Sequence, residues 1–147
     1  MKSKRILVVE DDEATASAIE FSLEQEGFDC DVAYDGEAAL EKVKAFPPDL
    51  IVLDLKLGKV SGYEVCEALK GNQDLKNIPI IMLTAMASEI WKLSGMMAGA
   101  SAYMTKPFEM ENLIQRIKNT LKSQEAREKM MKDFWGKIEM LKAKKKS

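Results

Sequence analysis

Four short stretches of this chain place polar or charged side chains directly after apolar runs. Glu10, Asp11 and Asp12 follow one apolar run, Asp54 follows another, Thr84 a third, and Lys106 stands ahead of Pro107 after a fourth. Carboxylates gathered in one crevice repel each other unless a cation sits among them. An all-oxygen ligand set with room for water suits a hard ion, and Mg2+ is the usual one beside phosphate. A lysine and a hydroxyl facing the same crevice add charge neutralisation and a directed hydrogen bond, which a transferring phosphoryl group requires. Taken singly, each residue has a plainer reading. Three acids at a strand-to-helix turn commonly cap a helix; Asp54 or Thr84 could cap a turn, and Lys106 could simply be solvated. Their placement at four strand ends favours the chemistry.

The elements that must position them are legible from the hydrophobic pattern. Apolar runs at 6–9, 30–33, 50–53, 78–83 and 102–104 predict five strands. The first, third and fourth are continuous rather than alternating, as in strands covered on both faces. Between them lie stripes at helical spacing: Ala16, Ile19, Leu23; Ala39, Leu40, Val43; Val65, Leu69; Ile90, Leu93, Met97; and Leu113, Ile117, Leu121. Gly27, Pro47-Pro48, Gly71-Asn72 and Gly99 punctuate the first four. Five strand–helix repeats predict an α/β fold: a flavodoxin-like, doubly wound, five-stranded parallel sheet, (βα)5, with helices on both faces. Ligands in such sheets sit beyond the carboxyl ends of the strands, where the strand order reverses. That is where the acids, the threonine and the lysine fall.

Composition narrows the chemistry further. The chain has 147 residues and no histidine, which excludes Ser-His-Asp and Cys-His catalysis and histidine-ligated zinc. Cys30 and Cys66 are far apart without CxxC spacing and read as two reduced thiols of a reducing compartment. The opening residues lack a signal-peptide core and no run reaches transmembrane length, so a cytoplasmic location without membrane association is expected. Net charge is −2, but residues 121–147 hold nine Lys/Arg against four Asp/Glu, leaving an acidic body. That balance argues against bulk nucleic-acid binding.

The segments Ile-Leu-Val-Val-Glu-Asp-Asp-Glu (6–13), Leu-Ile-Val-Leu-Asp-Leu (50–55), Ile-Ile-Met-Leu-Thr-Ala (80–85) and Lys-Pro-Phe (106–108) resemble the receiver domains of two-component response regulators, including the single-domain chemotaxis type. The spacings fit as well: 43 residues from Asp11 to Asp54, 30 from Asp54 to Thr84 and 52 from Asp54 to Lys106. The resemblance implies that Asp54 accepts a phosphoryl group from a histidine kinase or phosphotransfer protein. It implies Mg2+ held by Glu10, Asp11, Asp54 and the backbone carbonyl of Lys56. Thr84 would donate to the phosphoryl group, Lys106 would pair with the acceptor and then the phosphate, and Tyr103 would be the aromatic switch that turns inward as Thr84 moves. A downstream protein target would read the altered surface. The chain would be a switch that catalyses only its own phosphotransfer and a slow autodephosphorylation, not an enzyme acting on an external substrate. Lys56 and Met86 would flank the acceptor where the family controls access of water. The Lys106-Pro107 bond would be cis.

Asp12 lies one place beyond the family's acidic pair and reads as a helix cap. Gly58 stands where the family often has proline, which predicts a looser loop, while the following glycine, Gly62, is kept. The stretch Gly-Ala-Ser-Ala-Tyr (99–103) lacks the two acids common in transcription-factor receivers, which argues against their charged dimer interface. Competing chemistries fit less well. Phosphatases of the haloacid dehalogenase type need a second aspartate two residues after the first, where this chain has Lys56. Nucleotide-binding modules want a glycine-rich loop where this chain has Glu10, Asp11 and Asp12.

The expected division is a receiver over 1–122 and a basic amphipathic helical tail over 123–147, extending the fifth helix. The residues after the receiver are too few for a DNA-binding domain with its own core. Met131, Phe134, Ile138 and Leu141 are spaced 3, 4 and 3, with Trp135 beside them and Gly136 weakening the middle. Such a stripe is unfavourable in water. The receiver's own surface, a target protein or a second copy could cover it, and a homodimer through this helix is the favoured expectation.

Overall fold

In the computed structural model, which describes residues 3–85 and 98–146, the strands are β1 (Arg5–Val9), β2 (Asp29–Ala33), β3 (Leu50–Asp54), β4 (Ile80–Thr84) and β5 (Ala102–Thr105). The described helices are α1 (Glu13–Gln25), α2 (Gly36–Ala45), α3 (Gly62–Lys70) and α4 (Met110–Lys146). The helix expected over Ile90, Leu93 and Met97 lies outside the described residues, as does Met86.

The sheet is wholly parallel with order β2-β1-β3-β4-β5, so the chain winds one way from β1 and then the other, and the reversal falls between β1 and β3. Burial follows the patterning. β3 and β4 are buried at every position and β1 at all but its first, whereas the edge strands β2 and β5 are partly open. Each strand sends alternate side chains to opposite faces. On one face Leu7, Val9, Ile51, Leu53, Ile80 and Met82 pack under α2 and α3. On the other, Ile6, Val8, Leu50, Val52, Ile81 and Leu83 pack under α1 and the first half of α4. Truncating one such side chain to alanine costs about 2–5 kcal/mol.

The helix ends follow local chemistry. Asp12 is the N-cap of α1, its carboxylate accepting from the Thr15 N–H at 3.1 Å, as expected. Asp35 caps α2 in the same way, accepting from Ala38 N–H at 2.7 Å. Gly27, just past α1, has φ +92°, a left-handed conformation that costs glycine little. β4 begins two residues later than the apolar run suggests. Pro79 cannot donate to a strand ladder, so it supplies only its carbonyl, which accepts from Ile51 N–H at 3.0 Å. Conversely, β3, β4 and β5 each run one residue further than the apolar pattern, through Asp54, Thr84 and Thr105. Backbone pairing continues although the side chains turn polar.

α4 continues unbroken through 122–123 for 37 residues in all, about 55 Å at 1.5 Å per residue. Among the described residues, nothing but this helix follows β5 beyond the connecting turn. No described helix is long and apolar enough to cross a membrane.

Candidate functional site

The site lies at the carboxyl ends of β1, β3, β4 and β5, above the reversal in strand order. Glu10 follows β1 and is fixed by its N–H, which donates to the Ala33 carbonyl at 3.0 Å. Asp54 ends β3, and Thr84 ends β4. All three are buried, at 1%, 5% and 1% exposure, and are the buried polar or charged side chains among the described residues. Asp11 is exposed at the rim. Carboxylate oxygens of Glu10, Asp11 and Asp54 lie within 4.8 Å of one another.

Lys106 reaches in after β5. Its Nζ donates to Glu10 Oε1 at 2.5 Å and to Asp54 Oδ2 at 3.1 Å. The second Asp54 oxygen, Oδ1, accepts from the Lys56 N–H at 3.1 Å. Thr84 and Tyr103, at the ends of adjacent strands, are hydrogen-bonded through their side chains, and Tyr103 is half-buried against the core. The Lys106-Pro107 peptide is cis, as expected. One ammonium is therefore shared by two buried carboxylates, with Asp11 nearby at the rim. Burial pushes the Glu10 carboxyl up to about 7, and Asp54 adds to the rise while Lys106 opposes it. Burial alone would lower Lys106, but its bonds to Glu10 and Asp54 outweigh that and hold it above the ordinary lysine range. The surplus negative charge raises proton affinity on both sides of the ion pair.

A second feature of the site is steric. A Cβ on Gly62 would stand 2.5 Å from the Asp54 carbonyl oxygen and 2.8 Å from Leu55 Cα. Only glycine lets the loop return this close, and its N–H then donates to the Leu55 carbonyl at 2.9 Å. Ser61 and Glu64 form a capping box at the start of α3 that anchors the same return. Neither role was deduced from sequence, though Ser-x-x-Glu before an apolar stripe is a recognisable signal. Among the described residues, a Cβ on Gly58 would meet nothing within 4 Å.

The arrangement can accept a cation and a tetrahedral anion side by side. The donors are all oxygens, and Glu10 Oε2 is buried with no hydrogen-bond partner among the described residues, which fits a hard divalent ion such as Mg2+. Fold and site together mark a doubly wound parallel sheet with an acidic, lysine-bridged pocket at its strand ends. Residues 6–118 match the model of the response regulator receiver domain, and the chain belongs to that family. It is 44% identical over 123 residues to the alkaline phosphatase synthesis transcriptional regulatory protein PhoP of Bacillus subtilis, covering 84% of this chain and 50% of that one. It is 42% identical over 120 residues to the response regulator ArlR of Staphylococcus saprophyticus, covering 82% and 53%. The chain thus spans about half the length of these curated relatives. Among solved structures, a CheY-like receiver domain protein from Methanospirillum hungatei superposes with a TM-score of 0.80 at 32% identity, over 86% of this chain and 99% of the other.

Proposed function

We propose that this chain is a cytoplasmic phosphorylation switch in which Asp54 is the phosphoacceptor. The observation that carries the reading is the Lys106 ammonium bridging Glu10 and Asp54, two buried carboxylates that the fold brings together from different strands. An Asp54 carboxylate oxygen displaces the imidazole nitrogen of a phosphohistidine on a histidine kinase or phosphotransfer protein. The O–P bond forms as the P–N bond breaks, and the imidazole leaves with the bonding pair and takes up a proton from solvent.

Glu10, Asp11, Asp54 and the Lys56 carbonyl would hold Mg2+, which supplies charge neutralisation for the incoming phosphoryl oxygens. Lys106 stays with the acceptor and balances the phosphate charge. The Thr84 hydroxyl turns to donate to the phosphoryl group, and Tyr103, released from its bond to Thr84, moves inward and changes the surface offered to a downstream protein target. No external substrate is turned over; the only hydrolysis is slow loss of the chain's own phosphoryl group. The receiver occupies 1–122, and 123–147 is a tail through which the protein self-associates.

The test is labelling with acetyl phosphate. Wild type is expected to incorporate phosphate in Mg2+ and to lose nearly all incorporation in EDTA. Asp54→Asn should not label, and Asp11→Ala should need much more Mg2+. Undiminished labelling of Asp54→Asn would overturn the assignment.

A further inference from the structure

We propose that the tail pairs with a second copy of this chain in antiparallel orientation, so that the two receivers sit at opposite ends of a short two-helix seam. This rests on the reading that the tail self-associates, and adds its geometry. Ile117, Gln124, Met131 and Ile138 are seven residues apart along one unbroken helix. Residues seven apart drift by about 20° around a straight helix, so the four turn by about 60° in all and stay on one side of it. Ile117 is buried under the sheet. Gln124 donates to the Asn77 carbonyl at 2.9 Å, at the receiver's edge. Lys4 pairs with Glu125 there at 3.2 Å. Past that edge the line emerges. Met131, Phe134, Trp135 and Leu141 are 51–61% exposed, and Ile138 is only partly covered.

The face that meets the receiver is thus continuous with the face left bare beyond it. That continuity decides the orientation. Paired helices run 8–10 Å apart. In a parallel pair, the two inner faces would oppose each other along the whole helix, yet over Leu113–Leu121 each inner face is already covered by its own sheet. The two receivers would compete for one space. In an antiparallel pair only the bare halves overlap.

The register is set by the stripe itself. Met131, Phe134, Ile138 and Leu141 are symmetric about Gly136, so antiparallel pairing places Met131 on Leu141 and Phe134 on Ile138 of the second copy, twice over. Trp135, stacked edge-on against Phe134 with centroids 5.4 Å apart, then flanks its own counterpart near the two-fold axis. The charges agree. This register brings Glu128 beside Lys142 of the second copy, whereas a parallel pair brings Lys137 beside Lys142 and Lys145 beside Lys145. Residual repulsion between the Lys137 pair, and between Arg127 and Lys145, keeps the seam modest.

The experiment uses the full chain. Met131→Cys and Leu141→Cys variants are mixed, oxidised, and their cross-linked peptides identified by mass spectrometry, with sedimentation equilibrium run alongside. A dominant 131–141 disulfide in a dimer is the expected result. Dominant 131–131 and 141–141 disulfides in a dimer would overturn the orientation while leaving self-association standing. A wild-type chain that is monomeric at micromolar concentration would overturn self-association itself. Phe134→Glu, outside the receiver, should halve the apparent mass and leave acetyl phosphate labelling unchanged; an unchanged dimer would place the seam elsewhere.

Discussion

Lys106 Nζ stands closer to Glu10, at 2.5 Å, than to Asp54, at 3.1 Å. The residue proposed to balance the phosphate on Asp54 is therefore shared with a neighbouring acid. One cation between two buried carboxylates, with Asp11 exposed at the rim, leaves the metal-free site with net negative charge. Removing one carboxylate should relieve that repulsion, so Asp54→Asn is expected to stabilise the metal-free chain by on the order of 1 kcal/mol. Urea unfolding in EDTA measures it. Mg2+ should stabilise wild type by mass action and the variant less, since the variant lacks a ligand. A variant less stable than wild type in EDTA would show that the hydrogen bonds Asp54 makes outweigh the repulsion.

Gly58 and Gly62 lie in one loop but should respond oppositely to alanine. At Gly62 the new methyl meets backbone atoms of Asp54 and Leu55, which cannot swing aside. A loss of about 1–3 kcal/mol is expected, with weaker phosphorylation if Asp54 is the acceptor as proposed, because its own backbone is displaced. At Gly58 the methyl meets nothing among the described residues, and φ is not positive. Alanine there should be neutral or stabilising by about 0.4–1 kcal/mol through the unfolded state. Thermal melts of the two variants check both, and a destabilised Gly58→Ala would show that the loop needs glycine's freedom.

Lys56 is exposed beside Asp54, the proposed acceptor, and its N–H donates to Asp54 Oδ1. A long side chain there would lie across the approach of water to a phosphoryl group. Lys56→Ala combined with Met86→Ala is expected to shorten the lifetime of the phosphorylated protein a few-fold. Decay of radiolabel after removal of the donor is the measurement, and an unchanged half-life would remove both side chains from the control of hydrolysis.

The strand–helix alternation and the residues at the strand ends were legible because they depend on local pattern: continuous apolar runs ending in a polar residue. Asp12 as a cap was legible for the same reason. What could not be read is what only the assembled sheet decides. Glu10 and Asp11 are adjacent in sequence, yet one is buried and the other exposed, because the turn after β1 hangs Glu10 from the Ala33 carbonyl of β2. The close return of Gly62 needs β3 and α3 in place before it means anything. The tail helix was expected from its spacing. That its bare stripe prolongs the receiver-facing side of α4 depends on where Gln124 meets the receiver's edge, which spacing alone does not specify.

Two thiols provide a last check on the layering. Cys30 packs on the α1 and α4 face of the sheet and Cys66 on the α2 and α3 face, so the sheet itself separates them and no disulfide between them is expected. Burial, reinforced by Glu20, Glu24, Asp31 and Asp29, pushes the Cys30 thiol up to about 12. Its thiolate fraction at pH 8 is then about 1 in 10,000, and the thiolate is the reactive form. Burial likewise pushes the Cys66 thiol up, against the opposing charge of Lys70, and its Sγ lies 3.2 Å from the Ala98 carbonyl. Native protein should therefore react with iodoacetamide at pH 8 far more slowly than a free thiol, and both cysteines should label promptly in guanidinium. Rapid labelling of Cys30 in the native protein would mean that β2, the edge strand that carries it, opens on the timescale of the reaction. Rapid labelling of Cys66 alone would place that opening on the opposite face, where α3 covers the sheet.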